Sequence, residues 1–262
     1  MASKSQKDGM RWFKDQFGSR IAAAIKGTPF TIDLLTAIAV QETFEIWGLI
    51  YKKLPMDQVL ALCVGDSIGG PTRKAFPASK DALLSVKTPD GKAMYDIARA
   101  ALADVGAYIK PYKSAWEKGK FCHGFGIFQY DLQFFKKNPD YFLKKQWADF
   151  DVCLSRVITE LTEACRGAKL SGKPTLTDEE LCQVAIVYNS GPKNFKPAKG
   201  LKQGFYNKGD KTYYGENIFD YLQAAKAISS GSAAPGLRGM VPSAAAIKAV
   251  ARSRPKAKML PS

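Results

Sequence analysis

Apolar side chains recur at intervals of three and four residues along most of the chain, which is the spacing of an amphipathic helix. The spacing predicts helices over about residues 6–26, 31–53, 90–109, 148–168, 177–190 and 215–228, with shorter ones after Pro55 and at Asn138-Pro139. The segment "TDEELCQVAIVYNSGP" marks both ends of its helix, because Thr177 and Glu180 have the spacing of a capping box and Gly191-Pro192 ends it. No segment alternates apolar and polar residues over a useful length, so we predict a mainly α fold.

Glycine and proline mark the breaks between these helices. The segment "GDSIGGPTRKAFPAS", residues 65–79, is predicted to be a long loop. After residue 229 small residues, glycine and proline dominate and aromatic residues vanish, which is typical of a linker or tail. We therefore expect one helical domain over residues 1–229 and a flexible, basic C-terminal tail over residues 230–262.

Nearly half of the net positive charge of the chain follows Asp220, most of it in this tail. The 262 residues carry a formal net charge of +15, and seven of these positive charges follow Asp220 with no acidic residue among them. A basic surface favours a polyanionic partner such as nucleic acid, anionic lipid or an acidic cell wall, and charge does not choose among these. No stretch approaches the ~20 apolar residues of a membrane span, so no membrane span is expected.

The five cysteines predict neither a disulfide framework nor a zinc site, because their number is odd and none forms a C-x-x-C pair. We expect them to be buried, reduced thiols: Cys63, Cys122, Cys153, Cys165 and Cys182. His123 is the single histidine, and the chain has no Gly-x-Ser-x-Gly elbow, which argues against a Ser-His-Asp hydrolase. No metal or other cofactor is predicted.

One carboxylate stands on the apolar face of a helix. Glu42 follows Leu35, Ile38 and Ala39 by seven, four and three residues, which places all four on one face. Burial disfavours the charged form of a carboxylate, so a buried glutamate can hold its proton near neutral pH. A protonated carboxyl group is what a glycosidase needs to protonate a leaving group. The alternative is that the stripe bends at Gln41 and Glu42 faces water.

Two further segments combine polar groups with aromatic residues or a helix end. In "FCHGFGIFQYDLQFF", Gln129 and Asp131 lie among aromatic residues, directly after the closely spaced Gly124 and Gly126. That mixture is usual in a carbohydrate groove, although an aromatic corner of the core has the same composition. In "VAIVYNSGPKNF" a helix ends at Tyr188-Asn189, which by itself is an ordinary helix stop.

Together and in this order, the three segments resemble the lysozyme-like superfamily, and most closely its soluble lytic transglycosylases and goose-type lysozymes, glycoside hydrolase family 23. The family's Glu-Ser motif is similar to Glu42-Thr43, where threonine keeps the hydroxyl group. The goose-type motif Gly-Phe-Gly-Leu-Met-Gln-Val-Asp is similar to residues 124–131, and Ala-Tyr-Asn-Ala-Gly to residues 187–191. A late tyrosine of the family corresponds to Tyr214 or Tyr213.

The resemblance covers about residues 30–225 and departs from the family at one point. About eighty residues separate Glu42 from the second motif, so we expect an insertion over about residues 55–118 that walls or covers the groove. The predicted fold is therefore a lysozyme-like helical domain of the goose-type or transglycosylase kind, with this insertion after the catalytic helix.

The resemblance implies cleavage of the β-1,4 bond between N-acetylmuramic acid and N-acetylglucosamine in peptidoglycan, or of chitin, with Glu42 as general acid. It implies that Asp131 positions water, which favours hydrolysis, whereas a transglycosylase needs no second carboxylate and closes a 1,6-anhydro ring with the muramyl 6-hydroxyl. Glu45, one turn from Glu42, is expected at the surface. The substrate contacts that the resemblance implies are Thr43, Gly126, Gln129, Tyr188, Asn189 and Tyr214.

The rival hypothesis is a non-enzymatic basic protein whose tail binds nucleic acid or the cell wall. Nucleic acid is the less expected partner, because the tail has no aromatic residues on which bases could stack. We expect a monomer. The N-terminus lacks the features of a secretory signal. A cell-wall enzyme would therefore need another route, such as release through a holin, a secretion system or a start site further upstream.

Overall fold

The computed structural model describes residues 1–68 and 73–228, and this part of the chain is mainly α, as predicted. The tail predicted over residues 230–262 lies outside the described residues. The helices are α1 Lys4–Ala24, α2 Ile32–Ile50, α3 Met56–Leu62, α4 Lys80–Leu84, α5 Gly91–Gly106, α6 Lys110–Glu117, α7 Pro139–Leu143, α8 Phe150–Gly167, α9 Asp178–Ser190 and α10 Tyr214–Lys226. Short 3-10 turns lie at Leu132–Phe134, Gln146–Ala148 and Pro197–Lys199.

Side-chain caps begin the helices that form the site. The Thr31 hydroxyl accepts a hydrogen bond from the Leu34 amide, 3.1 Å away, and starts α2. The capping box predicted for α9 is present, and α9 ends at Gly191, whose φ of 77° lies in the left-handed region that favours glycine. These ends are local, so the sequence predicts them well.

The expectation of no useful strand was wrong. β1 Val64–Ile68, β2 Phe121–Phe125 and β3 Tyr130–Asp131 form a three-stranded antiparallel sheet, in which Gly65 pairs with Gly124, and Gly124 with Asp131. A two-residue hairpin, β4 Tyr206–Asn207 with β5 Thr212–Tyr213, follows α9. β1 overlaps the first residues of the segment predicted as a loop, residues 65–79. Neither strand shows an alternating pattern, because "VGDSI" has turn composition and β2 is buried on both faces.

Helix α2 is the central element of the core. It packs against α1 on one side and α10 on another, while α8 packs against α9. Trp47 of α2 is fully buried in an aromatic cluster whose other members come from three further parts of the chain: Phe13, Phe17, Phe128 and Phe150. All five cysteines are buried and unpaired with one another, which confirms the prediction of reduced thiols.

The segment predicted as an insertion, residues 55–118, packs into this same core. Its longest helix, α5, contacts β1, β2 and α7, and its strand β1 supplies the outer edge of the sheet. Met94 and Val105, on the apolar stripe predicted for α5, are fully buried. Residues between α2 and β2 therefore help to build the region around Glu42.

A buried lysine in the middle of α1 ties this helix to the end of α10 and the start of α2. Lys14 of α1 is only 6% exposed; its ammonium group donates to the carbonyl oxygens of Ala225 and Ile228 at the end of α10 and lies 2.6 Å from the Asp33 carboxylate at the start of α2. Replacing it leaves these acceptors and a carboxylate without their partner.

We expect Lys14→Met to lower the free energy of unfolding by about 2 kcal/mol. Urea unfolding measures the change, with Lys7→Met, an exposed position on the same helix, as the matched control. Equal losses for the two variants would contradict the role of Lys14 as a tie between helices.

Candidate active site

The turn between β2 and β3, Gly126–Gln129, is buried in the core, and side chains from three helices satisfy two of its carbonyl groups and that of Phe125, the residue before it. The Thr43 hydroxyl of α2 donates to Ile127 O over 2.7 Å. The Tyr141 hydroxyl of α7 donates to Phe125 O over 3.0 Å, and the Tyr188 hydroxyl of α9 donates to Phe128 O. Because buried carbonyls need partners, these bonds fix α2, α7 and α9 around one turn.

Glu42 lies one residue before Thr43 and is half-buried beside this turn. Its carboxylate oxygen Oε1 accepts a hydrogen bond of 2.7 Å from the Tyr214 hydroxyl of α10. Burial raises the pKa of Glu42 to about 8; the hydrogen bond from Tyr214 opposes this, and the negative charge of Asp66 adds to it. A carboxyl group with this pKa is mostly protonated at neutral pH.

Asp66 lines the groove beside Glu42 but is absent from the residues predicted from the sequence. It lies in β1 with φ = 44°, a left-handed conformation that costs energy for a residue other than glycine. Its side chain is exposed to the same groove as Glu42. In the sequence Asp66 is an acidic residue beside a glycine, a pair that is typical of a turn. No local pattern indicates that Asp66 lies near Glu42.

Asp131 is held by an ion-pair cluster. Its Oδ1 accepts hydrogen bonds from the Arg73 guanidinium (2.6 Å) and the Gln133 amide (2.7 Å), and its Oδ2 lies 2.9 Å from His123 Nδ1. Burial alone would raise the pKa of Asp131, but the hydrogen bonds from His123 and Arg73 outweigh it and hold the pKa below its usual value. Both oxygens of this carboxylate are therefore already engaged by the protein.

The Gln129 side chain lies so close to the backbone of two strands that a side chain in place of either glycine beneath it would displace the amide. A Cβ atom on Gly124 would lie 2.1 Å from Gln129 Oε1, and one on Gly65 would lie 2.9 Å away. The Gln129 amide donates to Gly126 O over 2.9 Å, and its backbone φ of 53° is again left-handed. The paired glycines thus make room for an amide at the wall of the groove.

Two cavities meet at Glu42 and together form what we call the groove. The α8 cavity, about 510 Å³, is lined by residues of the sheet, by Glu160 and Glu163 of α8 and by the end of α9. The α10 cavity, about 650 Å³, is lined by residues of α2, α10 and the β4–β5 hairpin. Three residues belong to both linings: Glu42, Asp66 and Asn189. A ligand that fills both cavities must pass directly over Glu42.

The lining of the groove is acidic although the chain is basic. Among the described residues that line either cavity there are several carboxylates and no lysine or arginine. The carboxylates are Glu42, Glu45, Asp66, Asp131, Glu160, Glu163 and Asp210. The positive net charge must therefore lie elsewhere on the chain.

The structure brings together most of the residues that were predicted from the sequence. Six of them line the groove: Glu42, Gln129, Asp131, Tyr188, Asn189 and Tyr214. Tyr214 contacts Glu42, whereas the Tyr213 ring packs on Tyr206 of the hairpin, so the geometry chooses between the two tyrosines.

Two of the predicted substrate contacts lie beneath the groove instead of lining it. Thr43 is fully buried with its hydroxyl donated to the turn, and Gly126 is packed against Cys153 and Tyr141. Neither residue is free to contact a substrate, because both pack against and support the turn. Glu45 is exposed, as expected, and accepts a hydrogen bond of 2.6 Å from Tyr112 of α6.

No family model, curated protein or solved structure matches this chain. Within the described residues, none of the helices combines the length and the apolar character needed to cross a bilayer. The same residues contain no grouping of three His, Cys, Asp or Glu side chains suited to a metal ion. The chemistry of the groove must therefore be argued from its own side chains.

The raised pKa of Glu42 makes the stability of the protein depend on pH. In the unfolded chain the carboxyl group loses its proton near its ordinary value of 4.5, and in the folded protein near 8. Between these values the folded state binds more protons than the unfolded state, so stability falls as pH rises through this window.

We expect Glu42→Gln to abolish this dependence and to raise the free energy of unfolding at pH 7 by about 3 kcal/mol, with no gain below pH 4.5. Denaturant unfolding at several pH values between pH 4 and pH 9 measures the free energy of unfolding of both proteins. Glu117→Gln, at an exposed position, should parallel the parent protein. Parallel curves for Glu42→Gln and the parent would show that Glu42 titrates normally.

Proposed function

We propose that this protein is a glycosidase that cleaves the β-1,4 bond between N-acetylmuramic acid and N-acetylglucosamine in peptidoglycan, with Glu42 as general acid. The observation that carries the proposal is a carboxyl group with a pKa of about 8 at the junction of two cavities. A proton donor placed midway along an extended groove suits the cleavage of an internal bond in a polymer.

The lining of the groove supports a glycan as its ligand over a polyphosphate. The carboxylates of the lining repel the phosphates of a nucleic acid, whereas sugar hydroxyl and acetamido groups can donate hydrogen bonds to them. Gln129, Tyr188 and Asn189 add amide and phenol groups near Glu42. The basic remainder of the chain would attract the anionic cell wall that carries such a glycan.

In the proposed reaction Glu42 transfers its proton to the glycosidic oxygen as the bond to the anomeric carbon breaks. The Tyr214 hydroxyl, bonded to Glu42 Oε1, holds the carboxyl group in place and stabilises the carboxylate that forms. Gln129 projects from the rigid turn towards the same region and would orient the sugar. Chitin, which shares the β-1,4 bond and the acetamido groups, is the alternative substrate.

The second step depends on which group receives a proton from the attacking oxygen. An inverting hydrolase uses a second carboxylate across the bond to position water. Asp66 suits this role, because it is exposed in the groove and near enough to raise the pKa of Glu42. Asp131, which the sequence predicted, has both oxygens engaged by Arg73, His123 and Gln133. In a transglycosylase, Glu42 itself would accept the proton of the muramyl 6-hydroxyl.

Incubation of purified peptidoglycan with the parent protein should release soluble muropeptides, and Glu42→Gln should release at least a hundredfold less. Mass spectrometry of the products separates the two reactions: reducing ends indicate hydrolysis, and products lighter by one water indicate 1,6-anhydro rings. Chitin oligomers tested in parallel define the substrate. If the parent releases nothing from either glycan, or both proteins release the same, Glu42 is not the acid and the basic binding protein becomes the better hypothesis.

Asp66→Asn and Asp131→Asn should act differently on this activity. If the products are those of hydrolysis, Asp66→Asn should lower kcat about a hundredfold or more at unchanged stability. In either reaction it should shift the basic limb of the pH profile to lower pH, because a negative charge near Glu42 is lost. Asp131→Asn should mainly lower stability, since Arg73 and His123 lose their shared partner. If the Asp131→Asn protein is stable but inactive, the general base is Asp131 and not Asp66.

A further inference from the structure

Phe205 exposes a large aromatic ring in the groove. The residue is 66% exposed and lines the α10 cavity, just before the β4–β5 hairpin. An exposed phenyl ring is costly in water, and at the wall of a polar cavity such a ring commonly marks the place of a ligand. Nothing in the reaction at Glu42 requires this residue.

The backbone of Phe205 is fixed by two residues of the candidate site. Its amide donates to Asn189 Oδ1 over 3.1 Å, and its carbonyl oxygen accepts from the Tyr214 amide over 2.8 Å. The preceding Gly204 has φ = 83°, and a Cβ atom there would lie 2.7 Å from Tyr214 Cβ. The backbone that carries the ring is therefore ordered at the cavity wall before a ligand binds. Binding then loses little conformational entropy in this segment.

Polar side chains line the same cavity from two helices. Gln41 of α2 is one of them, although its Oε1 atom is buried away from the cavity, without a hydrogen-bond partner among the described residues. The side chains of Asn207 and Asn217 line the cavity as well.

We propose that the α10 cavity is a sugar subsite, in which the Phe205 ring stacks on the apolar face of an N-acetylhexosamine and polar side chains of the lining such as Asn217 bind its hydroxyl and acetamido groups. This inference rests on the proposed function and extends it. The ligand is a glycan strand that fills both cavities, so the protein binds long strands more tightly than short ones.

The test uses the full chain carrying Glu42→Gln, so that the ligand stays intact, and the hexamer of N-acetylglucosamine as probe. Calorimetry should give a dissociation constant about tenfold weaker when Phe205→Ala is added, and an unchanged one when Phe205→Trp is added, because tryptophan keeps a flat ring. The matched control adds Tyr108→Ala, which removes a 53% exposed aromatic ring outside both cavities and should leave binding unchanged.

Equal affinities with and without Phe205→Ala would overturn the subsite, and so would failure of the hexamer to bind the Glu42→Gln protein. The proposed function is judged separately, by the muropeptides that the parent releases. If the parent cleaves peptidoglycan and Phe205→Ala does not weaken binding, the proposed glycosidase activity stands and the proposed subsite is rejected. In the supporting case, Phe205→Ala also raises KM for long strands and leaves kcat near that of the parent.

Discussion

The need to satisfy the buried carbonyl groups of one turn organises the structure around Glu42. The turn Gly126–Gln129 enters an apolar core, where an unpaired carbonyl is costly. Hydroxyl groups from α2, α7 and α9 meet this need, and each of them draws its own helix towards the turn. Thr43 and Tyr188 stand beside Glu42 and Asn189 in sequence, so the same contacts that complete the core also assemble the groove.

Negative and positive side chains lie in different parts of the protein. Carboxylates line the groove; burial, with a smaller contribution from the negative charge of Asp66, raises the pKa of Glu42 to about 8. The net charge of +15 lies elsewhere on the chain and would act at long range on an anionic surface. Basic side chains just outside the lining pair with some of these carboxylates: Arg73 with Asp131 and Arg166 with Glu163.

The sequence predicted the helical part of the site and missed the part that depends on pairing between distant segments. Glu42 could be found because helical periodicity places it beside Ile38 and Leu35, and Gln129 because closely spaced glycines mark a close approach. Asp66 could not be found, since its relation to Glu42 exists only after β1 pairs with β2 from more than fifty residues away. The engagement of Asp131 by Arg73 escaped prediction for the same reason.

The sequence by itself determined the helices, their caps, the buried state of the cysteines and the apolar surroundings of Glu42, because these depend on neighbours within a few residues. The tertiary structure alone decided that Tyr214 and not Tyr213 meets Glu42, that Thr43 and Gly126 support the turn from below, and that Phe205 stands exposed in the groove. Those outcomes depend on which way a side chain points once distant elements have packed, and no local pattern records that direction.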